Sequence, residues 1–235
     1  RDDVESRGLG DVYKRQVLIP VFAIGKSQEM LFNIHRFKQQ GVIPANTPVY
    51  FGGLSAKVSL LYDRFAGLTR RHDHEFKLKE EIQTVPLPRK GKAPLVCSPG
   101  NIYVVSSGMM TENTLSNVVA EQVLPQEKNA ILFVGYADPD SPAGLLKATP
   151  EGELVKMRPN GQPVRRKCTV DCFDFSGHAT RDSLVNYAVK LNPRQVVLVH
   201  GDPDAVEWMH HTLSAKMPDS TIVVPEPGRR YTFEP

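Results

Sequence analysis

Apolar runs of strand length alternate with amphipathic stretches of helical length along most of the chain. The pattern predicts strands at 17–23, 48–51, 102–106 and 130–136. Helices are predicted between them, at 27–40, 55–67 and 113–123, with Ser55 as the N-cap of the second helix. Alternation of this kind is typical of a parallel α/β sheet. Residues 69–100 are charged and interrupted by prolines, so they predict no regular element.

The pattern changes after residue 152. Two extended runs flank Asn160-Gly161, which is a hairpin turn signal. An amphipathic helix is then predicted at 181–191, followed by a helix at 205–216 and strands at 221–224 and 230–233. We therefore predict two structural parts with a boundary near Thr169.

Two histidines end strand-like runs on either side of the helix predicted at 181–191. His178 follows one run and His200 follows the other, which predicts a strand–helix–strand unit. Right-handed crossovers place such strand ends on the same rim of a parallel sheet, so we expect the two imidazoles to meet there. An imidazole can bind a metal or transfer a proton near neutral pH.

Four sequence blocks, taken in order, resemble those of the β-CASP branch of the metallo-β-lactamase-fold ribonucleases. They lie at 17–29, at 106–110, at 135–138, and in the pair 175–179 with 199–201. The resemblance implies an α/β fold: a parallel-sheet, Rossmann-like β-CASP domain over 17–168, then the C-terminal piece of a metallo-β-lactamase αββα fold over 169–235. The resemblance also implies two zinc ions and RNA as the substrate. A pair of metal ions can activate a water molecule and stabilise negative charge on the phosphodiester during hydrolysis.

The resemblance implies roles for both histidines. His200 matches the position that completes the shell of one zinc ion, and histidine there favours the RNA-processing branch over the DNA-repair branch. His178 matches the position that contacts phosphate and protonates the leaving oxygen. The alternatives are purely structural roles: His200 would cap a strand, and His178 would make local hydrogen bonds at the start of a helix. Endonuclease and exonuclease modes both remain open.

Two further positions match phosphate-binding regions of the family. Ser106, Ser107 and Gly108 match a loop that helps to hold the terminal phosphate of RNA in exonucleolytic relatives, although an ordinary strand-to-helix turn is an equal alternative. Lys26 stands where the family commonly has arginine, so a phosphate contact there would lack the bidentate fork.

The main zinc-binding block of the family, His-x-His-x-Asp-His, has no counterpart in the chain. His72-Asp73-His74-Glu75 is similar but lacks the Asp-His step, and a solvated loop is the better interpretation. Asp138 and Asp140 are predicted to form a turn. We predict buried free thiols for Cys168 and Cys172 rather than a metal pair. The aromatic residues show no stacking platform for bases in the sequence (Tyr103, Tyr136, Phe175, Trp208).

The first sixteen residues are treated separately from the fold. Residues 6–16 can be back-translated into a common transposon-based sequencing adapter, which predicts that residues 1–16 are a read artefact. The alternative is a flexible natural segment. On the artefact hypothesis an upstream part of the gene is missing, and this fragment is expected to bind zinc weakly and to be inactive as a nuclease.

The bulk composition sets wide limits. A net charge of +3 permits a polyanionic partner without requiring one, and no apolar run reaches transmembrane length. Three cysteines suit a reducing compartment, so we predict a cytoplasmic protein. The family resemblance implies RNA as the partner, and we expect no membrane partner and a possible homodimer. The alternative function is a non-catalytic RNA-binding or scaffolding subunit of the same family. A generic nucleotide-binding domain is disfavoured because residues 23–26 are too poor in glycine.

Overall fold

The computed structural model of the chain describes residues 15–69, 75–88, 95–175 and 177–232. It forms two compact units, which meet in sequence at Phe175 and Ser176. The predicted artefact at 1–16 lies almost wholly outside the described residues, and so do His72, Asp73 and His74. The predictions for those residues remain predictions.

The first unit contains a six-stranded, entirely parallel sheet with a separate antiparallel hairpin. In chain order, its strands are β1 (Val17–Pro20), β2 (Val49–Phe51), β3 (Val85–Pro86), β4 (Ile102–Val105), β5 (Ala130–Phe133), β6 (Leu154–Val155), β7 (Val164–Arg165) and β8 (Thr169–Cys172). The sheet order is β3-β2-β4-β1-β5-β8, and β6 and β7 form the hairpin predicted around Asn160-Gly161. Pro86 lies on the edge strand β3, where a missing amide donor is tolerated.

Five α-helices lie between these strands in the described ranges. They are α1 (Lys26–Gln39), α2 (Gly53–Arg64), α3 (Leu78–Glu81), α4 (Leu115–Val123) and α5 (Pro142–Ala148). Ser55 was wrong as the N-cap of α2: the helix begins two residues earlier, after Gly52, and Ser55 is buried in the first turn. Helix α3 was not predicted. The Asp63 carboxylate accepts hydrogen bonds from the amides of Leu78 (2.9 Å) and Lys79 (3.0 Å), so a distant residue fixes its start.

The sheet of the first unit is covered on both faces. Successive strand side chains point to opposite faces, so Leu18 packs into one core with α4 and α5, while Ile19 packs into the other core with α1 and α3. All four residues of β4 are buried. A parallel sheet that is buried on both faces explains why these strands are apolar almost throughout.

The second unit is small. It comprises α6 (Arg181–Leu191), β9 (Gln195–Val197), α7 (Pro203–Lys216) and β10 (Thr221–Val223), and β9 pairs with β10 in parallel. Its fully buried apolar core has three residues, Val185, Leu213 and Met217. None of the helices in the described ranges is long and apolar enough to span a bilayer.

One long-range prediction near this boundary was wrong. The strand before His178 is β8, which joins the six-stranded sheet, whereas the strand before His200 is β9, which pairs only with β10. The two strands therefore do not form one strand–helix–strand unit in one sheet. The compact units divide between Phe175 and Ser176, and the domain boundary predicted near Thr169 stays a prediction. Residues 230–232 form no strand, and Phe233 lies outside the described residues.

Candidate functional site

His200 is displayed to solvent in the connection between β9 and α7. Its side chain is exposed, and its backbone adopts a left-handed conformation with φ of 61°. Residues other than glycine adopt this region uncommonly, with asparagine, aspartate and histidine the most frequent among them, and backbone outliers concentrate at functional sites. The loop therefore holds an imidazole where glycine would be less strained.

His178 is also exposed, in the connection that precedes α6. The hydroxyl of Thr180 accepts a hydrogen bond from the Ser183 amide at 3.2 Å and caps the helix, as the sequence allowed. Both histidines therefore lie in loops of the second unit that precede helices. Neither imidazole is sealed in an apolar core, so both can meet a polar ligand.

The loop of Ser106, Ser107 and Gly108 follows β4 in the first unit. The Ser107 hydroxyl accepts a hydrogen bond from the Thr111 amide at 3.3 Å, and the Ser107 carbonyl accepts one from the Ser116 hydroxyl at 2.7 Å. A Cβ atom on Gly108 would lie 3.0 Å from the Phe22 ring, so a side chain there would crowd the ring. The side chains of this loop therefore serve its own structure.

The backbone of the same loop has spare donors. Within the described residues, the amides of Ser107, Gly108 and Met109 have no hydrogen-bond acceptor. Successive amides of this kind can bind an anion. The sequence analysis missed Asn117, which is buried and donates from Nδ2 to the carbonyls of Met110 and Met157 at 2.8 Å each. Only the tertiary contact reveals that this side chain anchors the loop.

Lys26 is held by contacts within the first unit. Its ammonium group lies 2.6 Å from the Glu29 carboxylate and donates to the carbonyl of Phe175. The side chain is only 15% exposed. A phosphate would have to compete with both acceptors, so the geometry gives little support to the predicted phosphate contact.

The remaining candidates have structural roles. The Asp138 carboxylate accepts a hydrogen bond from the Asp140 amide at 2.9 Å, which confirms the predicted turn. A Cβ atom on Gly144 would lie 2.1 Å from the Asp138 carbonyl oxygen, so this turn packs directly against α5. Cys168 and Cys172 are free thiols, as predicted. Cys168 is buried, but Cys172 is exposed, so the prediction of burial was wrong for Cys172.

The described residues do not fit a complete metal centre. Among them, no three histidine, cysteine, aspartate or glutamate side chains come together to hold a metal ion. His200 can supply one imidazole. A zinc site needs at least three protein ligands, so zinc cannot be placed from these residues alone.

Two protein-family models match the chain. Residues 27–146, just over half of the 235 residues, match the β-CASP domain, and residues 163–225 match the RNA specificity domain of zinc-dependent metallo-hydrolases. The chain belongs to the β-CASP family of metallo-β-lactamase-fold ribonucleases. The resemblance of the four sequence blocks and the predicted α/β fold with a parallel sheet are thereby confirmed.

Curated relatives match most of the chain. An Integrator complex subunit 11 homologue from Dictyostelium discoideum is 26% identical over 86% of this chain and 28% of its own length. Transcription termination factor FttA from Pyrococcus abyssi is 27% identical over 86% of the chain and 34% of its length. Endoribonuclease YSH1 from Mycosarcoma maydis is 24% identical over 86% of the chain and 23% of its length. The chain thus spans about a third or less of these relatives.

Proposed function

We propose that this chain is part of a zinc-dependent enzyme that hydrolyses RNA phosphodiesters in RNA processing. The observation that carries the proposal is His200: an exposed imidazole held in a left-handed conformation directly after a strand. Its stability cost is explained if the side chain serves a ligand. The family match and the names of relatives, among them an endoribonuclease, support RNA as the substrate.

In this proposal His178 acts on the scissile phosphate. An exposed imidazole in a loop can approach the substrate, donate a hydrogen bond to phosphate when protonated, and pass its proton to the leaving oxygen. In the first unit, the unpaired amides of the partly exposed Ser107 and Met109, on either side of the buried Gly108, bind a phosphate of the RNA. Lys26, the first residue of α1, is paired with Glu29 and is assigned no direct contact with the RNA.

We further propose that most metal ligands come from a part of the protein outside these 235 residues. The described residues form no ligand group of three, and the chain spans about a third or less of the relatives named above. The 235-residue chain should therefore bind RNA without cleaving it. The second candidate, a non-catalytic RNA-binding or scaffolding subunit of the same family, is disfavoured by the presence of both His178 and His200.

Zinc analysis and RNA-cleavage assays on the full-length protein that contains this chain separate the two candidates. In that protein His200→Ala should lower both zinc content and cleavage. His178→Ala should keep zinc and slow cleavage by about 10²-fold or more. His211→Ala, an exposed histidine on α7 close to Glu207, is the matched control and should change neither.

The outcomes are distinct. If the His200→Ala and His178→Ala variants both kept wild-type zinc content and turnover, the roles assigned to these two histidines would be wrong. RNA binding without zinc or cleavage in the wild-type protein would establish the non-catalytic subunit instead. The cytoplasmic location and the homodimer stay predictions.

A further inference from the structure

The second unit contains an arginine stacked on the chain's single tryptophan. The Arg181 guanidinium, on the first residue of α6, lies over the Trp208 ring on α7, with Cζ 4.7 Å from the ring centroid. Arg181 is exposed and makes no ion pair within the described part of the chain. Stacking fixes the plane of the guanidinium and leaves its N–H edges available for a bidentate ligand.

The stacked pair lines the same cleft as His200. This cleft of the second unit has a volume of about 720 Å³, and its walls are mostly aliphatic side chains of α6, β9 and α7. The ionisable side chains that line it are Arg181, His200 and Asp204. An arginine and a histidine that line one mostly apolar cleft suit an anionic ligand with an apolar body, which is the chemistry of a nucleotide.

The second unit as a whole has no positive field to attract such a ligand. Residues 176–235 contain six lysines and arginines against seven aspartates and glutamates. Attraction of a polyanion to this cleft must therefore come from local cations. Arg181 is the cation in the cleft whose charge does not depend on pH in the physiological range.

We propose that Arg181 binds a phosphate of the RNA in this cleft and that Trp208 holds its guanidinium in the binding orientation. This inference rests on the proposed function and adds a specific RNA contact to it. The fork of the guanidinium matches two phosphate oxygens, so lysine is a poor replacement. Arg181 would thus position the RNA strand beside His200 before any chemistry takes place.

Trp208 gives the test a built-in reporter because the chain has no other tryptophan. A labelled single-stranded oligouridylate is titrated with the 235-residue chain, and anisotropy gives the affinity while Trp208 emission shows whether RNA reaches the cleft. In the wild type both signals should change and saturate together. Arg181→Gln should weaken binding about tenfold, Arg181→Lys should weaken it less, and the salt slope of Arg181→Gln should fall by about 0.7.

Arg229→Gln is the matched control. Arg229 also stacks on an aromatic ring, with Cζ 5.4 Å from the Tyr231 centroid, but it pairs with Glu226 at 3.0 Å and lies outside the cleft. Its loss should change affinity by less than about twofold. The urea transition of Trp208 fluorescence, recorded for each variant without RNA, establishes that the second unit remains folded.

Three results would overturn the inference. If Arg181→Gln binds as tightly as the wild type with an unchanged salt slope, Arg181 makes no phosphate contact, and the proposed function survives. The same holds if wild-type anisotropy reports binding while Trp208 emission stays constant, because the RNA then lies elsewhere. If the wild type binds no RNA, this inference and the RNA-binding part of the proposed function fail together.

Discussion

The two units of this chain bury their apolar side chains to very different extents. The first surrounds a six-stranded parallel sheet with apolar cores on both faces. The second has two short paired strands and three fully buried apolar residues, while Leu184, Tyr187 and Leu191 of α6 are exposed. A two-stranded sheet is marginal by itself. Most of the stability should therefore reside in the first unit, whereas both candidate histidines lie in the second.

This difference shows why the second unit suits a site. Ligand-binding segments are drawn from the less stable parts of proteins, where backbone strain and exposed polar groups are easier to accommodate. His200 and the stack of Arg181 on Trp208 are features of that kind. The first unit contributes a rigid frame and one loop with spare amides.

The largest effect is expected from Leu18→Ala in the first unit. Leu18 is fully buried in β1, the strand that pairs with both β4 and β5. The cavity should lower the free energy of unfolding by about 3 to 4 kcal/mol. Urea denaturation followed by far-ultraviolet circular dichroism measures it. A shift below about 1 kcal/mol would mean that this core is not the main source of stability.

Leu213→Ala should have a smaller effect, confined mainly to the signal from the second unit. Leu213 is buried, but it belongs to a core of only three fully buried residues that can relax around a cavity. We expect a loss of about 2 kcal/mol in the transition reported by Trp208 fluorescence. In the wild type this transition should occur at lower urea than the one seen by circular dichroism. Coincident transitions would remove the proposed difference in stability.

The first unit should also lose stability at high pH because of Cys168. Burial raises the pKa of this thiol to about 11. A raised pKa in the folded state means that the contribution is fully present below the unfolded value of about 9 and is lost as pH rises towards 11. The loss should reach about 1 kcal/mol by pH 10.

Denaturation at pH 8 and pH 10 measures this loss, and Cys168→Ala should reduce it. Burial also raises the pKa of Cys97 to about 11, so some pH dependence should persist in that variant. The exposed Cys172 supplies the control, Cys172→Ala, which should keep the full dependence. An equal pH dependence in all three proteins would contradict the assignment to Cys168.

The smallest expected change is an increase in the free energy of unfolding. His200→Gly removes the left-handed strain at φ 61° and should stabilise the second unit by about 0.5 to 1 kcal/mol, read by Trp208 fluorescence. Asn192, which ends α6 with φ of 46°, offers a comparison, since Asn192→Gly should stabilise by less. A destabilised His200→Gly variant would show that the imidazole serves the fold and not a ligand.

Local patterns predicted the elements well because their causes are local. The apolar run of β4 and the amphipathic period of α6 mark these elements clearly, and α6 has the predicted bounds. Helix α3 was missed because its start depends on Asp63, fifteen residues earlier. The assignment of β8 to the large sheet depends on its pairing with β5, which no local pattern contains.

The candidate site was predicted only in part. The motifs selected His178 and His200, and the structure shows that both are exposed. The backbone conformation of His200 depends on how the β9–α7 connection closes, which residue types alone do not specify. The stack of Arg181 on Trp208 joins residues 27 positions apart through the packing of α6 on α7, so the sequence showed no aromatic platform.

The contact between Gly144 and the Asp138 carbonyl has a consequence for how related sequences can vary. An added methyl group would overlap a backbone oxygen that no side-chain rotation can move aside, whereas Gly135 in the same region has open space around it. A library of all twenty amino acids should therefore return glycine alone at 144 and many residues at 135. A homologue that carries a larger residue at position 144 must have a different backbone conformation there.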